Sequence, residues 1–218
     1  MLLAACQSAP SEPVPSKPVA REAIAGYSVG KAPIHYWLFG NEGPFVYYLA
    51  SIHGNETAGT PLLKQFMLHL MTWPHELKGR RVVVVPLINP DGVKKNRRRN
   101  AQGIDLNRDF RHFSAPETQA LGRLMRRYPP ALVVSCHQPL ACVDYDGPAA
   151  DLAIEMSRSC GLPVKKLGSR HGSLGEWAER TGIPVITLEM PRSDDRLTDR
   201  ELGLRYGKAL LAALAAVK

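Results

Sequence analysis

Phe45-Val46-Tyr47-Tyr48-Leu49-Ala50-Ser51-Ile52-His53-Gly54-Asn55-Glu56 is the stretch from which the fold is read. Its first eight residues form a nearly continuous apolar run of strand length, the pattern of a strand buried on both faces. The run stops at a His and a Glu three residues apart. Beyond them Leu62, Leu63, Phe66, Met67, Leu70 and Met71 recur at helical spacing up to Pro74. The stretch therefore predicts a buried strand, a polar turn and a helix.

The same alternation continues on both sides. Downstream, Arg81 to Ile88 is a β-branched run that ends at the turn signal Asn89-Pro90-Asp91-Gly92. The polar stretch that follows, to about Ser114, is too long for an idle connection in a compact domain. Glu117 to Tyr128 predicts a helix, Ala131 to Cys136 a strand, Ala149 to Cys160 a helix, Ser173 to Arg180 a short helix, Pro184 to Leu188 a strand, and Asp199 to Val217 a closing helix. Upstream, Tyr27 to Gly30 and Ile34 to Phe39 predict two short strands around a Gly30-Lys31-Ala32-Pro33 turn. Helices alternating with buried strands predict a layered α/β domain.

Composition agrees. The chain has 218 residues, 44% of them apolar, enough for one sizeable core. The 18 Gly and 18 Pro show neither collagen periodicity nor wholesale disorder, and no apolar run reaches the roughly 18 residues needed to span a bilayer. Lys and Arg number 28 against 20 Asp and Glu, a formal charge of +8. The run Lys94-Lys95-Asn96-Arg97-Arg98-Arg99 holds a cluster of that excess but lacks interleaved aromatics or a DNA-binding motif, so no nucleic-acid partner is expected.

Leu3-Ala4-Ala5-Cys6 resembles a bacterial lipobox, whose cysteine is lipidated, although the apolar segment a signal peptide needs is missing before it. The expectation is a start codon upstream, a signal remnant at residues 1–6, a Pro- and Ser-rich tether at 7–23 and a catalytic domain at 24–218. That places the protein in the cell envelope, with Cys6 as its only membrane attachment; an accidental lipobox leaves it cytoplasmic. Cys136, Cys142 and Cys160 then remain, allowing at most one disulfide or three free thiols.

Polar residues stand at three strand ends, where α/β sheets gather their functional groups. His53 and Glu56 can converge on one point, and imidazole with carboxylate is a common zinc pair, though a His at a helix start is more often a capping or core residue. His137 ends the strand begun at Ala131 and completes a His–Glu–His set that leaves one zinc position for water. Glu189 ends the strand from Pro184; beside such a water it is a candidate general base, and otherwise a surface or ion-paired carboxylate.

Between these lies Arg98-Arg99-Asn100-Ala101-Gln102-Gly103-Ile104-Asp105-Leu106-Asn107-Arg108-Asp109-Phe110. With it the chain resembles the zinc carboxypeptidases of the carboxypeptidase A superfamily, whose His-x-x-Glu, Asn-Pro-Asp-Gly, Arg-x-Asn-x-x-Gly-Ile-Asp-Leu-Asn-Arg, later His and late Glu occur here in the same order. The resemblance implies a three-layer α/β/α domain with a mixed, mostly buried sheet. It implies one Zn²⁺ per chain on His53, Glu56 and His137, with Glu189 taking the proton of the attacking water and returning it to the leaving amine. Arg98 would oppose the oxyanion, Asn107 and Arg108 would hold the substrate carboxylate, and Asp105 would fix the tautomer of His53.

Within that superfamily, His137-Gln138-Pro139-Leu140-Ala141-Cys142-Val143-Asp144 and Gly172-Ser173-Leu174-Gly175-Glu176-Trp177 resemble segments of the murein peptide amidases. Those enzymes cut γ-D-glutamyl-meso-diaminopimelate bonds, so a cell-wall peptide substrate is implied. Three features depart from the pattern. Glu179 stands where digestive carboxypeptidases carry a tyrosine. Asp109 replaces a usual Asn and is expected to change the charge of the pocket. Cys6 suggests the envelope, whereas the amidases work in the cytoplasm. Two other readings remain: an N-acyl-amino-acid deacylase of the aspartoacylase type, which shares His-Gly-Asn-Glu and Asp-Leu-Asn-Arg, and a non-catalytic envelope lipoprotein that binds wall peptides.

Overall fold

β3 (Phe45–Ala50) lies in the middle of a seven-stranded sheet, and every one of its side chains is buried. The computed structural model describes residues 20–218; Cys6 and residues 7–19 of the expected tether lie outside the described residues. The remaining strands are β1 (Arg21–Tyr27), β2 (Pro33–Phe39), β4 (Arg81–Val85), β5 (Pro130–His137), β6 (Cys142–Asp146) and β7 (Val185–Glu189), in the order β1-β2-β4-β3-β5-β7-β6. β4, β3, β5 and β7 run parallel, while β2 and β6 are antiparallel to their inner neighbours. The sheet is therefore mixed, with its parallel strands inside, where both faces need covering.

Neighbouring residues of a strand point to opposite faces, and Tyr47 and Tyr48 make the two outer layers visible. The Tyr47 hydroxyl donates to the Leu124 and Tyr128 carbonyls at 3.1 and 2.7 Å, at the end of α3 (Pro116–Arg127). The Tyr48 hydroxyl donates to the Leu210 carbonyl at 2.7 Å, within α6 (Asp199–Ala216) on the other face. Around Tyr48 pack Leu62, Phe66 and Leu70 of α1 (Gly59–Thr72), Met156 of α4 (Ala150–Cys160), and Leu202 and Tyr206 of α6. Around Tyr47 pack Leu121 and Met125 of α3 and Leu174 and Ala178 of α5 (Leu174–Thr181). The result is the expected three-layer α/β/α arrangement. No described helix is long and apolar enough to cross a membrane.

Three elements differ from the sequence reading. β1 begins at Arg21, so residues 21–23, given by composition to the tether, pair with β2 as an edge strand, while residues 28–32 form the turn. Its exposed positions, Ile24 among them, blur the alternation that marks a strand. Asn89-Pro90-Asp91-Gly92 opens a short helix, α2 (Pro90–Lys94), in which the Asn89 side chain accepts from the Gly92 amide at 2.9 Å and Pro90 occupies the first turn. β6 was not anticipated, because acids at alternate positions disguise it. Cys136, Cys142 and Cys160 are free thiols.

Candidate metal centre and active site

The carboxyl ends of β3, β5 and β7 lie side by side, which is where open α/β sheets place ligands. His53 and Glu56 occupy the turn between β3 and α1, His137 is the last residue of β5, and Glu189, the last of β7, sits directly across from His137 in the ladder. The turn is held from behind by α2. A Cβ on Gly54 would stand 2.1 Å from the Gly92 carbonyl carbon, 2.4 Å from the Val93 nitrogen and 2.5 Å from the Arg97 oxygen, so only glycine allows this approach. The Asn89 amide donates to the carbonyls of both Ile52 and Arg98 at 3.3 and 3.4 Å. The Asn-Pro-Asp-Gly segment thus braces the His53 turn against the loop that carries Arg98.

Glu56 is the hub. Its Oε1 lies 2.7 Å from His53 Nδ1 and its Oε2 lies 2.8 Å from His137 Nδ1, and the possible ligand atoms of the three buried residues fall within 4.8 Å of one another. The Gln138 amide also donates to Oε2 at 3.2 Å. On the far side of the His53 ring, Nε2 meets Asp105 Oδ1 at 3.1 Å, and the other Asp105 oxygen accepts from Arg98 Nε at 3.0 Å. Burial pushes Glu56 up, but the His137 and His53 imidazoles outweigh it and hold its pKa far below the carboxylate range. Asp105 is likewise held low against its burial, by His53 and Arg98. Burial pulls His53 down, yet its hydrogen bonds to Asp105 and Glu56 leave its pKa raised.

This donor set fits a metal. Two imidazole nitrogens and one carboxylate of buried residues converge, the composition of a three-ligand catalytic centre with one open position. A proton kept on His53 Nε2 and donated to Asp105 would leave Nδ1, which faces Glu56, as the ring nitrogen that binds a metal.

Glu189 is 8% exposed; its Oε2 accepts from the Leu140 amide at 3.2 Å, and burial raises its pKa above the ordinary glutamate value. Asn107 and Arg108 lie on a 3₁₀ turn capped by Asp105. The Asn107 side-chain oxygen accepts from the Leu174 amide at 2.9 Å, tying the turn to the start of α5. One cavity of about 540 Å³ gathers His53, Glu56, Arg98, Asp105, Asn107, Arg108, His137 and Glu189, all the expected site residues that fall within the described chain. Cys6 lies outside it. Among the described residues no other histidine lines the cavity, and of the basic run only Arg98 does.

One expectation is corrected. Asp109 does not set the charge of the cavity: it is buried and faces the start of α3, where its carboxylate accepts from the Ser114 amide at 3.1 Å, the Ser114 hydroxyl at 2.6 Å, the Ala115 amide at 2.8 Å and the Thr118 hydroxyl. Those donors keep its pKa low despite burial. Glu179 accepts from the Ser169 hydroxyl at 2.6 Å and does not line the cavity. Conversely, Asp144, Asp146, Thr187 and Arg170 line it without having been singled out. The signal for the two acids was the alternation Cys142, Asp144, Asp146 on one face of β6.

The family described as succinylglutamate desuccinylase/aspartoacylase catalytic domain matches residues 42–133, less than half of the chain. The murein peptide amidase A of Escherichia coli K12 is 32% identical over 186 residues, covering 71% of this chain and 74% of that protein. The Vibrio campbellii protein of the same name is 30% identical over 181 residues, covering 69% and 71%. Among solved structures, the murein-tripeptide amidase of Escherichia coli O157 superposes with a TM-score of 0.68 at 27% identity, over 88% of this chain and 90% of that one. The carboxypeptidase A of Helicoverpa armigera reaches 0.77 at 17% identity, over 91% and 69%, a likeness of fold.

Proposed function

Because the chain belongs to the murein peptide amidases of the zinc carboxypeptidase superfamily, and is a hydrolase of the metallocarboxypeptidase type, we propose that it hydrolyses the amide between γ-D-glutamate and meso-diaminopimelate in cell-wall peptides, with one Zn²⁺ per chain. The observation that carries the reading is the cavity in which the His–Glu–His set, the buried carboxylate of Glu189, and Arg98 and Arg108 meet. His53, Glu56 and His137 would hold the zinc, which when bound would supply Lewis-acid polarisation of the scissile carbonyl and a lowered pKa for water. Glu189, whose pKa burial raises, takes a proton from the attacking water and returns it to the leaving amine. Arg98, held by Asp105, presents a fixed positive charge to the oxyanion. Arg108 and the Asn107 amide hold the free carboxylate beside the scissile nitrogen, for which a guanidinium fork is suited.

The aspartoacylase-type deacylase is the second reading, favoured by the family match to residues 42–133; that match ends before His137 and Glu189, whereas the amidase likeness covers most of the chain. The zinc-loaded protein is to be incubated with L-Ala-γ-D-Glu-meso-diaminopimelate, with an N-acyl amino acid and with an ordinary peptide ending in a free carboxylate. Release of diaminopimelate from the first is expected; its absence, with either of the others cleaved, overturns the substrate. The Leu3-Ala4-Ala5-Cys6 stretch supports a lipid-anchored envelope location as part of the same proposal. Fractionation and fatty-acid labelling of the full chain and of Cys6→Ser test it, and unlabelled protein in the cytosolic fraction refutes it.

A further inference from the structure

The cavity has a second, acidic end. Along the β6–β7 ladder, Cys142 faces Glu189, Asp144 faces Thr187 and Asp146 faces Val185. Alternate residues of a strand share a face, so Asp144 and Asp146 stand about 7 and 14 Å down the sheet from the row of Glu189. Both line the cavity and both are more than nine-tenths buried.

The two acids are in different states. Asp146 is spoken for: Lys166 Nζ donates to its Oδ1 at 2.8 Å, and its Oδ2 leans on Gly175, where a Cβ would come within 2.2 Å. Asp144 is not. Its Oδ1 accepts from the Leu167 amide at 2.9 Å, and among the described residues no cation lies within ion-pair distance of it, Lys166 being paired with Asp146. A buried carboxylate with no direct ion pair is costly, and this one lines the same cavity as Glu189. Burial, with a smaller push from Asp146, raises its pKa against the opposing Leu167 and Tyr145 amides and the Lys166 charge.

Resting on the function above, we propose that Asp144 is a specificity-determining residue that binds the ammonium at the end of the released residue's side chain. With the α-carboxylate at Asn107 and Arg108, a side chain of lysine or diaminopimelate length extends along β6 to Asp144, one strand repeat from the row of Glu189. The Lys166 pair keeps Asp146 from competing for that cation.

The test compares L-Ala-γ-D-Glu-X with X either meso-diaminopimelate or 2-aminopimelate, which keeps the skeleton and both carboxylates but lacks the side-chain ammonium. Wild type should favour diaminopimelate by on the order of 10- to 100-fold in kcat/KM, the range of a hydrogen bond to a charged group. Asp144→Asn retains an acceptor for the Leu167 amide and should bring that ratio close to one, leaving the aminopimelate rate within a few-fold of wild type. An unchanged ratio, or an equal loss on both substrates, overturns the proposal. The same pair of residues attached to an ordinary L-alanyl peptide separates the two claims: discrimination there, with the γ-linked substrates uncut, refutes the proposed function and leaves the role of Asp144 standing. Calorimetric binding of the two free amino acids to the zinc-loaded protein reads the same ratio without turnover; equal affinities in wild type overturn the role.

Discussion

At the scale of single residues, the site separates groups that hold a metal from the group that moves a proton. Glu189 contacts none of the three ligand side chains through a hydrogen bond; among the described residues its Oε2 is engaged only by the Leu140 amide. Glu189→Gln should therefore bind zinc at wild-type stoichiometry and lose about 10²- to 10⁴-fold in kcat; a rate near wild type removes the proton-transfer role. His53→Ala breaks the pair with Glu56 and should lose metal and activity together, and unchanged zinc content by atomic absorption would exclude it as a ligand. Asp109 makes a separate prediction about stability. Its folded pKa lies below the ordinary carboxylate value, so its contribution is complete above about pH 4 and is lost as the pH falls through the folded value. Asp109→Asn should cost about 1–3 kcal/mol at pH 7 in denaturant unfolding, with the gap to wild type narrowing below about pH 4. A gap that is constant with pH would show that the charge is not what stabilises the α3 start.

At the scale of elements, the reactive residues depend on loops pressed together by backbone. The His53 turn, α2 and the loop of Arg98 share the space that a side chain on Gly54 would fill. Gly54→Ala forces backbone apart, so it should destabilise by about 1–3 kcal/mol or more and lower kcat/KM at least tenfold by displacing His53 and Arg98. Wild-type Tm and rate in that variant would show that the three segments are not coupled. Several of these elements could be read directly. The apolar run of β3 and the periodic residues of α1 announce themselves, because burial on both faces or on one stripe leaves a one-dimensional pattern. β1 and β6 were obscured for the converse reason: an edge strand with exposed residues and a strand with acids facing a cavity lack that pattern.

At the scale of the whole molecule, residues far apart in the chain meet at one end of the sheet, and the convergence concentrates acids and imidazoles that a bound cation would neutralise. Chelation should abolish turnover, and zinc should restore it. Zinc at about 100 times its Kd should stabilise the fold by about 2.7 kcal/mol, which raises Tm by several degrees in a domain of this size. Identical melting curves with and without zinc would count against a metal bound by the folded state.

The sequence by itself determined the layered α/β class and the ligand and base candidates, since each depends on local pattern or on residue type at a strand end, while the arginine candidates came from the ordered motifs through the family resemblance they carry. It also drew attention to Asp109, but composition cannot say which way a carboxylate points. Tertiary structure decided that Asp109 serves the α3 start, that Asn-Pro-Asp-Gly braces two loops, and that Lys166 pairs with Asp146 rather than with Asp144 in the cavity. Those outcomes depend on which backbone amides and cations come within about 3 Å of an oxygen, and that is settled only when strands from different parts of the chain are laid in register.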